Sequence, residues 1–243
     1  MHGKLYHHTW TRLAVEAKPG DNHIWIQDPV NWEVGQKIFI TTSVREDELN
    51  PQNELVTITA ISGQLIQFDE PLQFYHYAGP EYQVEVGLLS RRINLLSDNF
   101  QNEASDDSHA TGFGGHVMVM GKGRFSGIGL FRMGQRNILA RYPLHFHLMN
   151  QAPDSYVKDC SFYQCYYRCA TIHGTHSSTL ERNVALDISG HCYYMEDGVE
   201  ENNTIAYNLA AYIHPISTPA AGGGQEGVTV TESAAVRQPA DIA

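Results

Sequence analysis

Imidazole and carboxylate side chains are concentrated in the second half of the chain, at spacings that suit acid–base chemistry. His145 and His147 stand two positions apart in a run of β-forming residues, so both would point to the same face of a strand. Histidine changes charge near neutral pH, and a neighbouring carboxylate fixes its tautomer and raises its basicity. The candidate catalytic residues are His145, His147, His173, His191, Glu196 and Asp197.

Glu196 and Asp197 belong to a run of carboxylates that continues with Glu200 and Glu201. Glycoside cleavage uses one protonated carboxyl as acid and one ionised carboxyl as nucleophile or base, about 5–10 Å apart. The run supplies the groups that this reaction needs. Two other interpretations are open, because acidic residues are common in solvated turns and because histidines can stack as a structural ladder that bonds to backbone carbonyls.

Further residues could bind a substrate or a cation. Arginine pairs with the carboxylates of acidic sugars, and tyrosine stacks on a sugar face or fills a core. The candidate substrate-binding residues are Arg91, Arg92, Arg141 and Tyr193. Asp98, Asp106 and Asp107 lie in an acidic stretch that is either a solvated loop or the lining of a cleft with calcium-binding carboxylates. A transition-metal site on His145 and His147 is a further hypothesis.

The elements that must position these residues are strands. In the first ninety residues short alternating runs are broken by turns, and no window has a helical period with caps at both ends. The clearest unit joins residues 55–61 to residues 65–68 through Ser62, Gly63 and Gln64. This pattern predicts a β-hairpin.

A repeat begins further along the chain. The runs 156–160, 179–183 and 203–208 can be superposed at intervals of 23 and 25 residues. A repeat of this length made of strands predicts a parallel β-helix, in which stacked coils bury a common core. The same register places Asn183 and Asn208 at equivalent positions and aligns residues 144–147 with 170–173 and with 192–195.

Charge and cysteine content exclude some functions and leave others open. The net charge of −11 and the absence of a Lys/Arg cluster argue against a nucleic-acid partner, and no apolar run is long enough to cross a bilayer. The cysteine spacing matches no common zinc module, so reduced core thiols and one or two disulfides are both open. The four cysteines are Cys160, Cys165, Cys169 and Cys192.

Several stretches resemble a known family. Residues 9–13, 34–40 and 86–91 resemble the second half of the G8 domain, and residues 141–147 resemble the segment that follows it. Residues 169–174 and 190–198 are similar to the parallel β-helix of the cell-migration-inducing hyaluronan-binding protein, transmembrane protein 2 and fibrocystin-like proteins. The resemblance covers nearly all of residues 9–215.

This resemblance implies an all-β, right-handed parallel β-helix preceded by a β-rich partial G8 domain. Residues 1–95 would be the C-terminal part of the G8-like domain, 96–115 an acidic and glycine-rich loop, 116–215 the coils, and 216–243 an irregular, truncated tail. We expect a fragment at both ends of a longer protein, with no signal peptide or anchor in this chain.

The resemblance also implies an extracellular or cell-surface protein that faces carbohydrate. The hyaluronidase branch implies calcium-dependent endo-cleavage of a glycosaminoglycan, for which the histidines and carboxylates would supply acid–base chemistry. The fibrocystin-like branch implies a non-catalytic recognition or structural scaffold. The enzyme and the scaffold are therefore both open, because fold alone does not decide function.

Overall fold

The regular structure of the chain consists of strands. The structure, a computed structural model, describes residues 1–45, 50–97, 112–214, 217–219 and 229–231. Within these ranges every regular element is a β-strand, which confirms the expected all-β class. No helix in the described ranges is long and apolar enough to span a lipid bilayer.

The first six strands form one antiparallel sheet that closes on itself. They are β1 (Trp10–Arg12), β2 (His23–Trp25), β3 (Lys37–Ile40), β4 (Glu54–Ser62), β5 (Leu65–Phe68) and β6 (Glu85–Leu88). Their order is β1-β6-β3-β4-β5-β2, and a bridge between Leu13 and Ile26 joins the two ends. Apolar side chains fill the interior, where Leu13, Ile26 and Ile38 are fully buried.

The predicted hairpin is confirmed as β4 and β5. Ser62 pairs with Leu65, so Gly63 and Gln64 form the turn between the strands. Gly63 has a φ of +62°, a conformation that glycine adopts without the steric cost of a side chain.

The following strands stack in three parallel sheets. The first contains β7 (Ile93–Leu96), β10 (Ile128–Phe131), β13 (Ser161–Tyr163), β16 (Val184–Ser189) and β19 (Leu209–His214). The second contains β8 (Val117–Val119), β11 (Leu144–Gln151), β14 (Ala170–His176) and β17 (Tyr193–Met195). The third contains β9 (Arg124–Ser126), β12 (Tyr156–Lys158), β15 (Thr179–Glu181) and β18 (Thr204–Ala206).

These sheets make a parallel β-helix of about 4 turns, as the sequence period predicts. Each coil contributes one strand to each sheet, and the apolar side chains between the sheets form a continuous core. A separate antiparallel pair, β20 (Ser217–Pro219) and β21 (Thr229–Thr231), follows the coils.

An asparagine ladder joins successive coils, and its predicted register is confirmed. The side-chain Nδ2 of Asn183 donates to the oxygen Oδ1 of Asn208 at 2.9 Å and to the carbonyl of Val157 at 2.9 Å. Its Oδ1 accepts the backbone N–H of Cys160 at 2.9 Å. Asn183 is fully buried, so it satisfies backbone groups that water cannot reach.

The same backbone conformation recurs at one corner of each solenoid coil. The residues directly after β9, β12, β15 and β18 all have positive φ, and they are Gly127, Asp159, Arg182 and Tyr207. Non-glycine residues adopt this conformation at a cost, so the surrounding contacts must hold it. At two of these corners the guanidinium of Arg182 donates to the carboxylate of Asp159 at 2.8 Å.

The closed sheet and the solenoid share an interface. Phe39 and Leu89 of the first unit pack with Val184 and Leu186 of the second in one buried cluster. The hydroxyl of Ser161 donates to the carbonyl of Leu89 at 2.7 Å. The first solenoid strand, β7, pairs in parallel with β10, so the first solenoid sheet begins at Ile93.

The cysteines divide into a bonded pair and two thiols. Cys169 and Cys192 form a disulfide between neighbouring coils. Cys160 and Cys165 are buried and free, and burial raises the pKa of their thiols to about 11 and about 12. Both interpretations left open by the sequence therefore hold, each for one pair.

The disulfide accompanies a shift in the predicted register. Residues 144–147 pair with 170–173 as predicted, but Ala170 pairs with Tyr193 and not with Cys192. The backbone N–H of Cys169 donates to the carbonyl of Cys192 at 2.8 Å, so the two cysteines stand opposite each other. Strand β17 is thus displaced by one residue from its predicted register.

Replacing Asn183 tests the ladder. We expect Asn183→Ala to lower the free energy of unfolding by about 2–3 kcal/mol, because it leaves the buried Cys160 N–H without its acceptor. Urea unfolding followed by circular dichroism measures this change, with the exposed Thr204→Ala on β18 as control. Equal free energies of unfolding for the two variants would contradict a stabilising role of the asparagine ladder.

Candidate functional site

The outer face of the second solenoid sheet carries the candidate site. On β11 Leu144 and Phe146 point into the core, so the alternating His145 and His147 point away from it. That the two histidines share a face confirms the prediction from their spacing. Parallel pairing places His147 opposite His173 of β14. We call His145, His147, His173, Glu196 and Asp197 the histidine cluster.

His147, His173 and Asp197 form the solvent-facing part of the histidine cluster. The Nδ1 atoms of His147 and His173 are 3.1 Å apart. Nε2 of His173 lies 3.1 Å from Oδ2 of Asp197, whose side chain is 33% exposed. A carboxylate at this distance keeps the proton of His173 on Nε2, which leaves Nδ1 as an acceptor.

His145 and Glu196 form the buried part. Nδ1 of His145 donates to the carbonyl of Ala140 at 3.2 Å, so Nε2 of the neutral ring carries a lone pair. This Nε2 lies 3.6 Å from Oε2 of Glu196, and neither atom has a hydrogen-bond partner in the part of the chain that the structure describes. The other oxygen of Glu196 accepts the hydroxyl of Tyr142 at 3.0 Å.

Burial sets the protonation of these groups. Burial, more than any neighbouring charge, lowers the pKa of His145 to about 3, and it also lowers the pKa of His147, next to His173. Burial raises the pKa of the Tyr142 hydroxyl above its usual range, so this group remains a donor to Glu196. His145 and His147 are therefore neutral bases at pH 7.

Two connecting segments hold the histidine cluster in place. Ala140, whose carbonyl receives the His145 proton, has a φ of +68°, a strained conformation for alanine. On the other side Oε1 of Glu200 accepts the backbone N–H groups of Gly174 at 3.1 Å and Asp197 at 3.2 Å. Glu200 thereby ties the turn after β17 to β14.

Sequence reasoning did not select three residues that support the histidine cluster. Tyr142 and Glu200 bind Glu196 and the backbone of Asp197, and Thr171 lies between His145 and Tyr194 in the outward-facing row. Glu200 was visible as a member of the carboxylate run. Nothing in the sequence indicated Tyr142, because a loop brings it over the sheet.

The structure removes Arg91 and Tyr193 from the substrate-binding candidates. Arg91 is buried, and its Nε donates to the carbonyl of Asp159 at 2.8 Å across the interface between the two units. Burial lowers the pKa of its guanidinium to about 10. Tyr193 packs against the solenoid core and donates its hydroxyl to the carbonyl of Leu209 at 3.2 Å.

Two other candidates have contacts with residues outside the histidine cluster. The NH2 group of Arg92 lies 2.7 Å from Oε1 of Glu33. The ring of His191 stacks on Tyr194, with centroids 5.8 Å apart. Arg168, which the sequence did not single out, lies with its guanidinium carbon 3.5 Å from the centroid of the same Tyr194 ring.

Arg141 remains the candidate for binding a substrate carboxylate. It is exposed at the end of the loop that precedes β11. Its NH1 lies 2.8 Å from Nε2 of His116, and burial together with Arg141 lowers the pKa of His116. His116 is therefore neutral, and its Nε2 accepts a hydrogen bond from the guanidinium N–H. The candidates Asp98, Asp106 and Asp107 lie outside the described residues.

The nitrogen donors of the histidine cluster suit a transition metal better than calcium. Ligand atoms of His145, His147 and His173 all lie within 4.8 Å of one another. In a tetrahedral zinc site with bonds of about 2.0–2.1 Å, ligand atoms are about 3.3–3.4 Å apart. The separations of 3.1 Å between the two Nδ1 atoms and 3.7 Å from His173 to Glu196 are close to this value. Calcium prefers oxygen ligands.

Comparison with known proteins gives the family. The family model described as CEMIP beta-helix matches residues 112–239, more than half of the chain. The chain belongs to this family. The match includes every member of the histidine cluster, so these residues lie within the family's β-helix.

The relatives extend the similarity to the whole chain. A G8 domain-containing protein of Dictyostelium discoideum is 57% identical over the whole of this chain, which covers 21% of that relative. Human fibrocystin-L is 34% identical over 258 aligned residues, which include 88% of this chain and 6% of fibrocystin-L. The chain thus spans about a fifth or less of these family members.

A solved structure with a similar chain path is the tailspike protein gp49 of Pseudomonas phage LKA1. It has a TM-score of 0.31 and 10% identity, and the match covers 91% of this chain and 47% of that protein. The parallel pairing of the strands, and not this match, establishes the β-helix.

Burial of His145 makes the stability of the chain pH-dependent. Its pKa of about 3 in the fold lies below the unfolded value near 6.5, so the unfolded chain binds the additional proton between these values. The destabilising contribution of His145 is therefore absent well above pH 6.5 and grows on acidification towards pH 3. We expect this residue alone to account for a loss of about 1.6 kcal/mol between pH 6.5 and pH 5.

Urea unfolding at several pH values, in the presence of chelator, measures this loss. His145→Gln should flatten the decline between pH 6.5 and pH 5, whereas the exposed His7→Gln should not. The same slope in wild type and in His145→Gln would show that His145 does not cause it.

Proposed function

We propose that the chain is part of an extracellular carbohydrate-active protein that binds and cleaves a glycosaminoglycan at the histidine cluster. Membership of the CEMIP beta-helix family supports a carbohydrate-related role. The disulfide between Cys169 and Cys192 supports an oxidising compartment such as the cell exterior. The choice of hyaluronan as the first substrate rests on the resemblance to the hyaluronidase branch.

The observation that carries the proposal is a chain of imidazoles that ends at the protein surface. Asp197 keeps the proton of His173 on Nε2, so Nδ1 of His173 is an acceptor. It accepts a hydrogen bond from the Nδ1–H of His147, with the two nitrogens 3.1 Å apart. Nε2 of His147 is then a free base on a partly exposed side chain. In this relay Asp197 orients His173, and His173 orients His147, which is the base.

In the proposed reaction His147 takes a proton from a water molecule as the water oxygen bonds to the anomeric carbon and the glycosidic C–O bond breaks. The positive charge that forms on the imidazole pair is stabilised by Asp197, and the proton returns to the oxygen of the departing sugar. The lowered pKa of His147 keeps it in the basic form at neutral pH. Glu196 and His145 do not contact the substrate, because their side chains are 4% and 0% exposed.

The substrate must overcome the charge of the chain. A net charge of −11 repels a polyanion at long range, so local cations have to offset it. Arg141, exposed next to His116, supplies one positive charge near the histidine cluster. Calcium bound by Asp98, Asp106 and Asp107 is the second part of this proposal.

Cleavage of high-molecular-weight hyaluronan tests the function. We expect the purified chain to shorten the polymer in the presence of calcium, as measured by gel electrophoresis. His147→Ala and Asp197→Asn should reduce the rate by about 10²–10⁴-fold, because each removes part of the base. His7→Ala, which replaces an exposed histidine outside the histidine cluster, should keep the wild-type rate.

The scaffold alternative predicts a different pattern. A recognition or structural scaffold of the fibrocystin type would leave the polymer intact, and His145→Ala and Glu196→Ala would lower only the stability. An intact polymer with wild-type chain would therefore reject the enzymatic proposal. Cleavage that persists in folded His147→Ala would keep the activity but move its site.

A second candidate function is a transition-metal site in the same cluster. Nε2 of His145 and Oε2 of Glu196 face each other at 3.6 Å without a hydrogen-bond partner among the described residues. Two buried acceptors in this arrangement require a proton or a cation between them. His145, His147, His173 and Glu196 would be the ligands, and Asp197 would orient His173 as an outer partner.

Metal analysis distinguishes the two candidates. We expect the chain, purified without chelator, to contain one zinc ion or to bind one Co²⁺ ion with a tetrahedral absorption spectrum. Asp197→Asn should weaken binding by about 10–100-fold, as loss of a carboxylate partner does elsewhere, and His7→Ala should not. Substoichiometric metal and no Co²⁺ spectrum would exclude this site.

A further inference from the structure

A cavity lies where the closed sheet meets the last coils of the solenoid. Its volume is about 340 Å³, at the low end of the range of about 300–1,000 Å³ for small-molecule sites. Trp10, Arg12, Gln27 and Asp28 border it from the closed sheet, and Arg182 and Tyr207 border it from the solenoid. No member of the histidine cluster contributes to its lining.

Trp10 is a fixed aromatic surface in this cavity. Its ring packs against the buried cluster that joins the two units, which includes Phe39 and Val184. Its indole N–H donates to the carbonyl of Tyr207 at 2.8 Å. The ring is therefore held in place before a ligand binds, which reduces the entropy lost when the ligand stacks on it. The side chain of Tyr207 is exposed, with 72% of the residue accessible, and supplies a second ring.

The charges of the lining favour a neutral ligand. Arg12, whose guanidinium carbon is 5.7 Å from the Trp10 ring centroid, has its Nε 4.0 Å from the carboxylate of Glu85. Arg182 is already paired with Asp159 at 2.8 Å and with Glu181 at 2.6 Å. The lining thus offers no unbalanced positive charge to an anion, while Asp28 and Gln27 offer polar groups to hydroxyls.

We propose that this cavity is a second carbohydrate-binding site, which takes a neutral saccharide. A pyranose with equatorial hydroxyls has one apolar face of C–H groups, which would stack on Trp10, while its hydroxyls bond to Asp28 and Gln27. The site does not rest on cleavage at the histidine cluster, and it binds a class of sugar different from the acidic polymer proposed there.

Titration with two neutral trisaccharides, cellotriose and chitotriose, tests the site. We expect saturable binding of at least one of them by isothermal titration calorimetry, with a change in tryptophan fluorescence. Tyr207→Ala and Trp10→Phe should weaken binding about tenfold or more. Trp25→Ala, which removes an exposed tryptophan of β2 outside the cavity, should bind as wild type.

Further variants separate this site from the proposed function. His147→Ala should bind the trisaccharides as wild type does, whether or not it cleaves hyaluronan. Tyr207→Ala keeps the test valid if Trp10→Phe fails to fold, because Tyr207 is exposed. Absence of saturable binding, wild-type affinity in folded Tyr207→Ala, or tighter binding of a hyaluronan tetrasaccharide that depends on Tyr207 would overturn the proposal.

Discussion

Parallel backbone pairing between successive coils is the constraint on which the candidate site depends. Strand spacing of about 4.8 Å brings residues at equal positions of neighbouring coils into contact. Because His147 pairs with His173, their rings meet without any dedicated loop. The N–H of Glu196 donates to the carbonyl of Ile172 at 2.9 Å, so the carboxylate next to these rings is placed by the same pairing.

The solenoid therefore accepts a locally unfavourable cluster. Buried acceptors such as Nε2 of His145 and Oε2 of Glu196 cost stability when they lack donors. The asparagine ladder and the continuous apolar core supply favourable contacts elsewhere in the solenoid. Ala140 adds local strain, since it has a positive φ while its carbonyl orients His145.

The sequence predicted those parts of the fold and site that follow from periodicity. The period of the coils placed His147 beside His173 and Asn183 beside Asn208, because equal positions in a solenoid touch. Arg91 could not be assigned from the sequence, since its burial follows from the docking of the closed sheet on the solenoid. Tyr142 was missed for a related reason, because loop conformation has no period.

The outward-facing row also shows why small register errors matter for function. Shifting a strand by one residue exchanges its core-facing and outward-facing side chains. The predicted alignment of Ala170 with Cys192 would give Tyr193 the position of Thr171 and turn it outward, whereas the pairing of Ala170 with Tyr193 turns Tyr194 outward instead. Tyr193, a sequence-based candidate for stacking on a sugar, accordingly packs against the core.

The two candidate functions compete for the same atoms. A proton between Nδ1 of His147 and Nδ1 of His173 makes the pair a relay, and a cation between them makes it a ligand set. One position 3.1 Å wide cannot hold both. Asp197 favours neither, because in both cases it keeps the proton of His173 on Nε2. Glu196 breaks this symmetry, since its unpartnered Oε2 lies 3.7 Å from Nδ1 of His173 and would be a further ligand for a cation, whereas the relay leaves it without a partner among the described residues.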